Sequence, residues 1–188
     1  MRGVGGAAVT RTNVRYTLEQ FHDLGDRGLF ESRGAVLLDG IIIEEGRMTP
    51  AHATGILLAG DALRPIFGRD WWVSMQLPLV VGEASDPVPD VAVVRRGDRT
   101  ATRHPTTAVL VIEVADDTLG FALGEKQAAY ARGDIADYWV LDVNGRQLHI
   151  FRGPAGDVYA THLTLGEADT VSPLAAPAAI VRVADLLP

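Results

Sequence analysis

A chain of 188 residues with 47% hydrophobic content is sized for one domain with a genuine core, and its longest apolar runs, such as Ala108 to Ile112, are far too short to cross a bilayer. The net charge of -7 excludes a protein that coats nucleic acid nonspecifically, because such binding needs many cations against phosphates; any nucleic-acid contact must be local. The absence of cysteine excludes disulfide bracing and thiolate metal sites. We expect a soluble protein with no membrane contact, compatible with a reducing cytoplasm.

Residues 1–14 are small, Gly-rich and without the apolar stretch of a secretory signal, so they read as a flexible lead-in to a single domain over 15–188. Thr17 to Gln20 is a capping-box pattern opening a short helix. Val36-Leu37-Leu38 and Ile41-Ile42-Ile43 flank Asp39-Gly40, which predicts a tight hairpin. From Pro50 to about Phe67 the apolar positions Ile56, Ala59, Leu63 and Phe67 recur at helical spacing, with Pro50 tolerated in the first turn. Trp72 to Val81 and Asp90 to Val94 read as strands separated by the turn cluster Gly82 to Pro89.

Ala108 to Val114 is nearly all aliphatic, as in a strand buried on both faces, and is the expected centre of the sheet. Helical residues resume near Phe121, with Gly133 placed as a C-terminal stop. Tyr138 to Val143, Asn144-Gly145 and Arg146 to Phe151 predict a second hairpin, and a third β pair is expected near Val158 to Leu165. The Ala- and Pro-rich tail after Thr170 carries no functional reading. This order implies an α/β or α+β fold in which helices cover a mixed sheet.

Glu113 stands out because it is an acid near the end of the most apolar strand, and a buried carboxylate is normally paired with a cation or a metal. Alternation puts Val109, Val111, Glu113 and Ala115 on one face. Asp90 opens the preceding strand, and adjacent strands lie about 5 Å apart, so the two acids can share one divalent cation; two carboxylates plus water suit magnesium. Each acid also has a plain structural reading, Asp90 as a strand-edge turn residue and Glu113 as the partner of an arginine.

Of the 17 basic residues 16 are Arg, which leaves Lys126 as the sole lysine. A lysine is a compact ammonium with a movable pKa, unlike arginine, so this residue is either a chosen catalytic group or a surface lysine paired with neighbours such as Glu125. Tyr130 follows one turn later on the same helical face. His52 and Glu44 are further candidates, the first for supporting a ligand or touching phosphate, the second for completing the acid cluster. Arg95, Arg96, Arg99 and Arg103 set four arginines against Asp98 between the two acid-bearing strands, a local candidate for phosphate-backbone contact or else an ordinary charged loop.

Taken in order, Leu37-Leu38-Asp39-Gly40 through Glu44, Pro50-Ala51-His52, Pro89-Asp90-Val91 through Val94, Leu110 through Val114, Gly124-Glu125-Lys126 with Tyr130-Ala131, and Asp137 through Asp142 resemble the Uma-two family of the PD-(D/E)XK nuclease superfamily. The resemblance runs from about Tyr16 to Phe151, and more weakly to the end. It implies a restriction-endonuclease-like mixed sheet flanked by helices and a metal-dependent endonuclease, with DNA the expected nucleic acid. Asp90 and Glu113 would hold Mg2+, with Mn2+ a possible substitute, and Lys126 would be the catalytic lysine. The superfamily lysine two residues after the glutamate is Ala115 here, and Lys126 matches the helix position that takes its place in the Uma-two pattern. Where that pattern carries an acid just before Gly-Glu-Lys this chain has Ala122, and where it has a Ser-Pro-Ser-like segment this chain has Asp116-Asp117-Thr118. The resemblance also suggests a homodimer, with Trp71-Trp72 and Tyr138-Trp139 as aromatic pairs for an interface or for the core. The alternative function is a non-catalytic nucleic-acid-binding or protein-interaction module with a degraded site; a metal-dependent hydrolase of another substrate is a third.

Overall fold

The computed structural model describes residues 14–30, 34–97 and 102–188, so the expected lead-in falls almost wholly outside the described residues, as does Arg99. Helix α1 (Leu18–Asp26) opens on the predicted capping box: the Thr17 hydroxyl accepts from the Gln20 N–H while the Gln20 side chain accepts from the Thr17 N–H. Strands β1 (Ala35–Leu38) and β2 (Ile41–Glu44) form the first hairpin. Its turn holds Asp39 and Gly40 at φ 51° and 77°, the left-handed pair that a two-residue turn requires. Helix α2 (Pro50–Phe67) matches its predicted bounds, with Thr49 as N-cap accepting from the His52 N–H and Pro50 in the first turn.

The main sheet has six strands in the order β3-β4-β5-β6-β7-β8. They are β3 (Trp71–Met75), β4 (Val91–Arg95), β5 (Leu110–Ala115), β6 (Asp137–Asp142), β7 (Gln147–Ala155) and β8 (Val158–Gly166). Among the described residues only β5 and β6 run parallel, joined by α3 (Leu119–Phe121), a π-helical turn (Ala122–Lys126) and α4 (Gln127–Arg132). Two short strands, β9 (Thr170–Val171) and β10 (Val181–Arg182), pair with each other.

The period-two pattern of β5 sorts its side chains between two cores. Leu110, Ile112 and Val114 pack with Ile56, Ala59 and Leu63 of α2. Val111 and Ala115 pack on the opposite face with Ala122 and Tyr130 of the crossover helix. The tail, which carried no reading in the sequence, closes the α2 side with Val171, Val181, Val183, Leu186 and Leu187.

Several sequence expectations are corrected. The strand expected over Trp72 to Val81 ends at Met75, because Gln76 sits at φ 51° and Pro78, lacking an N–H, cannot continue a ladder; Val81 instead bridges Ser85. The Asn144-Gly145 turn is a four-residue connection, since Asp142 pairs with Gln147, and its left-handed residue is Arg146. The expected third β pair is a single strand, β8, added to β7. Gly133 does end α4, but at φ -81°; Asp134 takes the left-handed position, and Gly133 is needed because a Cβ there would lie 2.8 Å from that of Val81. Tyr138 and Trp139 are fully buried, so they belong to the core and not to an interface.

Candidate active site

Antiparallel pairing of Val91 with Ile112 brings Asp90, one step before β4, opposite Glu113 in β5. Asp90 reaches across the strands, its Oδ2 accepting from the Val114 N–H at 2.8 Å. Both acids are buried, at 6% and 3% exposure. The crossover helix then delivers two donors to Glu113: Lys126 Nζ to Oε2 at 2.8 Å and Tyr130 OH to Oε1 at 2.7 Å. Four residues separate these donors, so they share one helical face, and the π-helical turn ends on Lys126 as it reaches the carboxylate. Glu113 is therefore paired with the sole lysine and not with an arginine. The other partner of Lys126 is Glu45 at 3.6 Å, not Glu125.

The N-terminus of α2 supplies the opposite wall. His52 Nε2 donates to Asp90 Oδ1 at 3.0 Å, and its Nδ1 lies 3.9 Å from Asp116. Asp116 accepts from the Thr49 hydroxyl at 2.6 Å, so one threonine caps α2 and ties it to the segment after β5. These residues surround a cavity of about 260 Å³ whose lining holds five carboxylates (Glu44, Glu45, Asp90, Glu113 and Asp116), with Arg47, Lys126 and His52 as the basic groups.

Burial raises the Glu113 carboxyl to about 7, opposed by the Lys126 ammonium and reinforced by Asp90. Burial acts to lower Lys126, but the charge and hydrogen bond of Glu113, with help from Glu45 and Asp90, carry it up to about 12. His52 is raised chiefly by its hydrogen bond to Asp90, against its own burial. Asp116 is lowered by the Thr49 hydroxyl and the Asp117 N–H. Tyr130 is raised by burial and by Glu113, so it stays a neutral donor.

Of the residues singled out in the sequence, Asp90, Glu113, Lys126, His52 and Glu44 line this cavity, and Tyr130 stands behind it, donating to Glu113 from the core. Arg95 and Arg96 do not: they sit at the far end of β4, with Arg95 over the Trp71 ring and Arg96 over the Trp72 ring. Arg103 is exposed in the connection to β5. Sequence reasoning missed Thr49, Glu45, Arg47 and Asp116. The only signal available was the acidic pair Asp116-Asp117 directly after the central strand.

Among the described residues no group of three His, Cys, Asp or Glu side chains forms a metal-holding cluster. The donor chemistry nevertheless fits a hard divalent ion. Each carboxylate oxygen has two lone pairs, and the hydrogen bonds just described use one on each oxygen of Asp90 and Glu113. Magnesium commonly takes one or two protein carboxylates and completes its shell with water and phosphate oxygens.

A mixed sheet with a helix against each face, carrying two acids on neighbouring strands and a lysine on the crossover helix, defines a protein of the restriction-endonuclease-like class. The family model described as "Putative restriction endonuclease", Uma2, matches residues 18–184, and the chain belongs to that family. Among solved structures it is similar to "a putative nuclease belonging to DUF820" from Anabaena variabilis ATCC 29413, at TM-score 0.75 and 16% sequence identity, over 90% of this chain and 96% of that one. At that identity the likeness is one of fold. No curated protein matches the chain.

Proposed function

We propose that this protein is a metal-dependent endonuclease that hydrolyses nucleic-acid phosphodiester bonds, with DNA as the expected substrate. The observation that carries the reading is the convergence of Asp90, Glu113 and Lys126 on one cavity, each held by a partner that fixes its orientation. Asp90 and Glu113 would hold magnesium, or manganese in its place, which supplies Lewis acidity toward the phosphate and lowers the pKa of a bound water. Tyr130 and the Val114 N–H each occupy one carboxylate oxygen and so aim the remaining lone pairs.

Lys126 stays an ammonium at neutral pH, so it donates to the attacking water and offsets the negative charge that builds on the phosphate oxygens. Its own charge is already engaged by Glu113 and Glu45. Arg47 is the exposed cation of the lining, without a carboxylate partner among the described residues, and its planar fork suits a phosphate.

The test is cleavage of labelled duplex and single-stranded DNA with magnesium, manganese or EDTA, comparing the native chain with Lys126→Ala and Lys126→Gln. The expected result is metal-dependent cutting that falls by at least about 100-fold in both variants, the usual scale for a group acting on charge in the transition state. Thermal melts show that each variant is folded; Lys126→Gln keeps a donor to Glu113 Oε2 where alanine leaves that oxygen without one and Tyr130 alone donates to the acid. Cutting unchanged in a folded variant would remove Lys126 from the chemistry.

A second reading, a non-catalytic nucleic-acid-binding or protein-interaction module, is favoured by Ala122, which lines the cavity at the position where the resemblance to the Uma-two pattern would place an acid. Native protein that is folded and cuts nothing under any metal would move that reading ahead.

A further inference from the structure

Outside the cavity, a cluster of arginines lies where β3 begins and β4 ends. Arg64, Arg69, Trp71, Trp72, Val73 and Arg96 line an open recess there, with Arg95 beside it. Arg64 is neutralised by Asp61 at 2.6 Å. Arg69, Arg95 and Arg96 are exposed and have no carboxylate partner among the described residues, and Asp70 is the acid adjacent to Arg69 in sequence. In a chain of net charge -7 this is a local excess of positive charge.

Two of these guanidiniums are positioned. Arg95 lies 5.5 Å from the Trp71 ring centre and Arg96 lies 5.8 Å from that of Trp72. Stacking against a ring limits the rotamers of a long side chain and leaves its N–H edge free for phosphate oxygens. Trp71 and Trp72 are consecutive in a strand, so they face opposite sides of the sheet, and the two arginines straddle its edge. That edge is open: among the described residues β3 pairs with β4 alone. The same strand leads to the cavity, since Gln76, the residue after its last, is part of the cavity lining.

We propose that this end of β3 and β4 is a second nucleic-acid contact, in which Arg69, Arg95 and Arg96 hold the sugar-phosphate backbone of the strand being cut, away from the scissile bond. The inference rests on the nuclease reading and specifies the length of substrate that site requires. Asp90 and Arg95 are five residues apart along an extended strand, about 17 Å at roughly 3.3 Å per residue. That is about five base pairs of duplex at roughly 3.4 Å each. Nucleic acid that ends less than about five base pairs from the cut on this side cannot reach the arginines.

The experiment is fluorescence-anisotropy titration of a labelled 24-base-pair duplex and of a hairpin-closed duplex of about 4 base pairs, which is too short to span the two contacts. Calcium replaces magnesium so that nothing is cut, and potassium chloride runs from about 50 to 200 mM. The native chain is compared with Arg69→Ala/Arg95→Ala/Arg96→Ala, and melts confirm that these exposed substitutions leave the fold intact. On the long duplex the variant is expected to show a salt slope shallower by about 2 to 3, since each lost phosphate contact removes about 0.9. The variant should also lose most of the native preference for the long duplex over the short one. A variant with the native slope and native length preference overturns the proposal. Cleavage by the native chain in magnesium, run in parallel, separates the two readings: native cutting with an unaltered variant slope sinks this contact alone, whereas a native chain that neither binds nor cuts sinks the nuclease reading with it.

Discussion

Glu113 carries a carboxylate where burial opposes its charge, and Lys126 and Tyr130 offset that cost with one hydrogen bond each. Tyr130→Phe removes the donor to Oε1 and leaves an oxygen of the buried Glu113 without that partner, a change that costs about 1 to 3 kcal/mol. Urea denaturation should show the lowered midpoint with an unchanged slope. A midpoint within error of the native one would mean that Lys126 alone satisfies the acid.

A second prediction at this scale concerns pH. His149 on β7 lies 3.2 Å from His162 on β8, and burial, then the charge of His162, lower its pKa from 6.5, with Asp142 opposing. In the unfolded chain its pKa is the ordinary one, so as pH falls through about 6.5 the unfolded state takes up the proton first and stability falls; above that value both states are neutral and the residue contributes no slope. His52 has the opposite sign, because its raised pKa gives stability at low pH that fades as pH rises through the folded value. The difference between native and His149→Gln isolates the first effect: the variant should lose less stability between pH 7 and 5, and equal losses would contradict it.

At the scale of elements, α2 can lie close to β5 because Gly55 has no side chain: a Cβ there would be 2.9 Å from Cγ1 of Val114. That contact sits one residue from Glu113 and sets the distance between the His52 wall and the acid strand. Gly55→Ala gains helix propensity of about 1 kcal/mol but crowds a β-branched residue in a packed strand, where overpacking costs about 1 to 3 kcal/mol. A net loss of stability of about 1 kcal/mol is expected in thermal melts. Gly124 is the control, with nothing within 4 Å of its added Cβ; Gly124→Ala should be neutral or stabilising by up to about 1 kcal/mol.

Across the whole molecule, Asp137 joins the sheet to the tail. It is fully buried and accepts from Trp139 Nε1 at 2.7 Å, Arg152 Nε at 2.9 Å and the Leu174 N–H at 2.8 Å, while Arg152 also donates to the Ser172 carbonyl at 2.7 Å. Removing one member of such a buried pair costs about 3 to 5 kcal/mol. Asp137→Ala should therefore destabilise strongly, and hydrogen exchange should quicken across residues 170–187 before it does in β5. Uniform quickening would mean that the tail is held by its apolar residues alone.

The elements legible in the sequence were those governed by local rules. The capping box of α1, the Asp39-Gly40 hairpin, the apolar period of α2 and the aliphatic run from Ala108 to Ile112 that leads through β5 each follow from backbone and periodicity constraints that act within a few residues. Glu113 and Lys126 were legible for a related reason, as an acid in an apolar strand and as the one lysine among arginines. The end of β3 at Gln76, the burial of Tyr138 and Trp139, the single strand β8 and the gathering of Thr49, Glu45, Arg47 and Asp116 around the acids were decided only by tertiary structure. Those outcomes depend on which surfaces approach one another across the chain, and a polar residue in a loop looks the same in sequence whether the fold carries it to a cavity or leaves it in water.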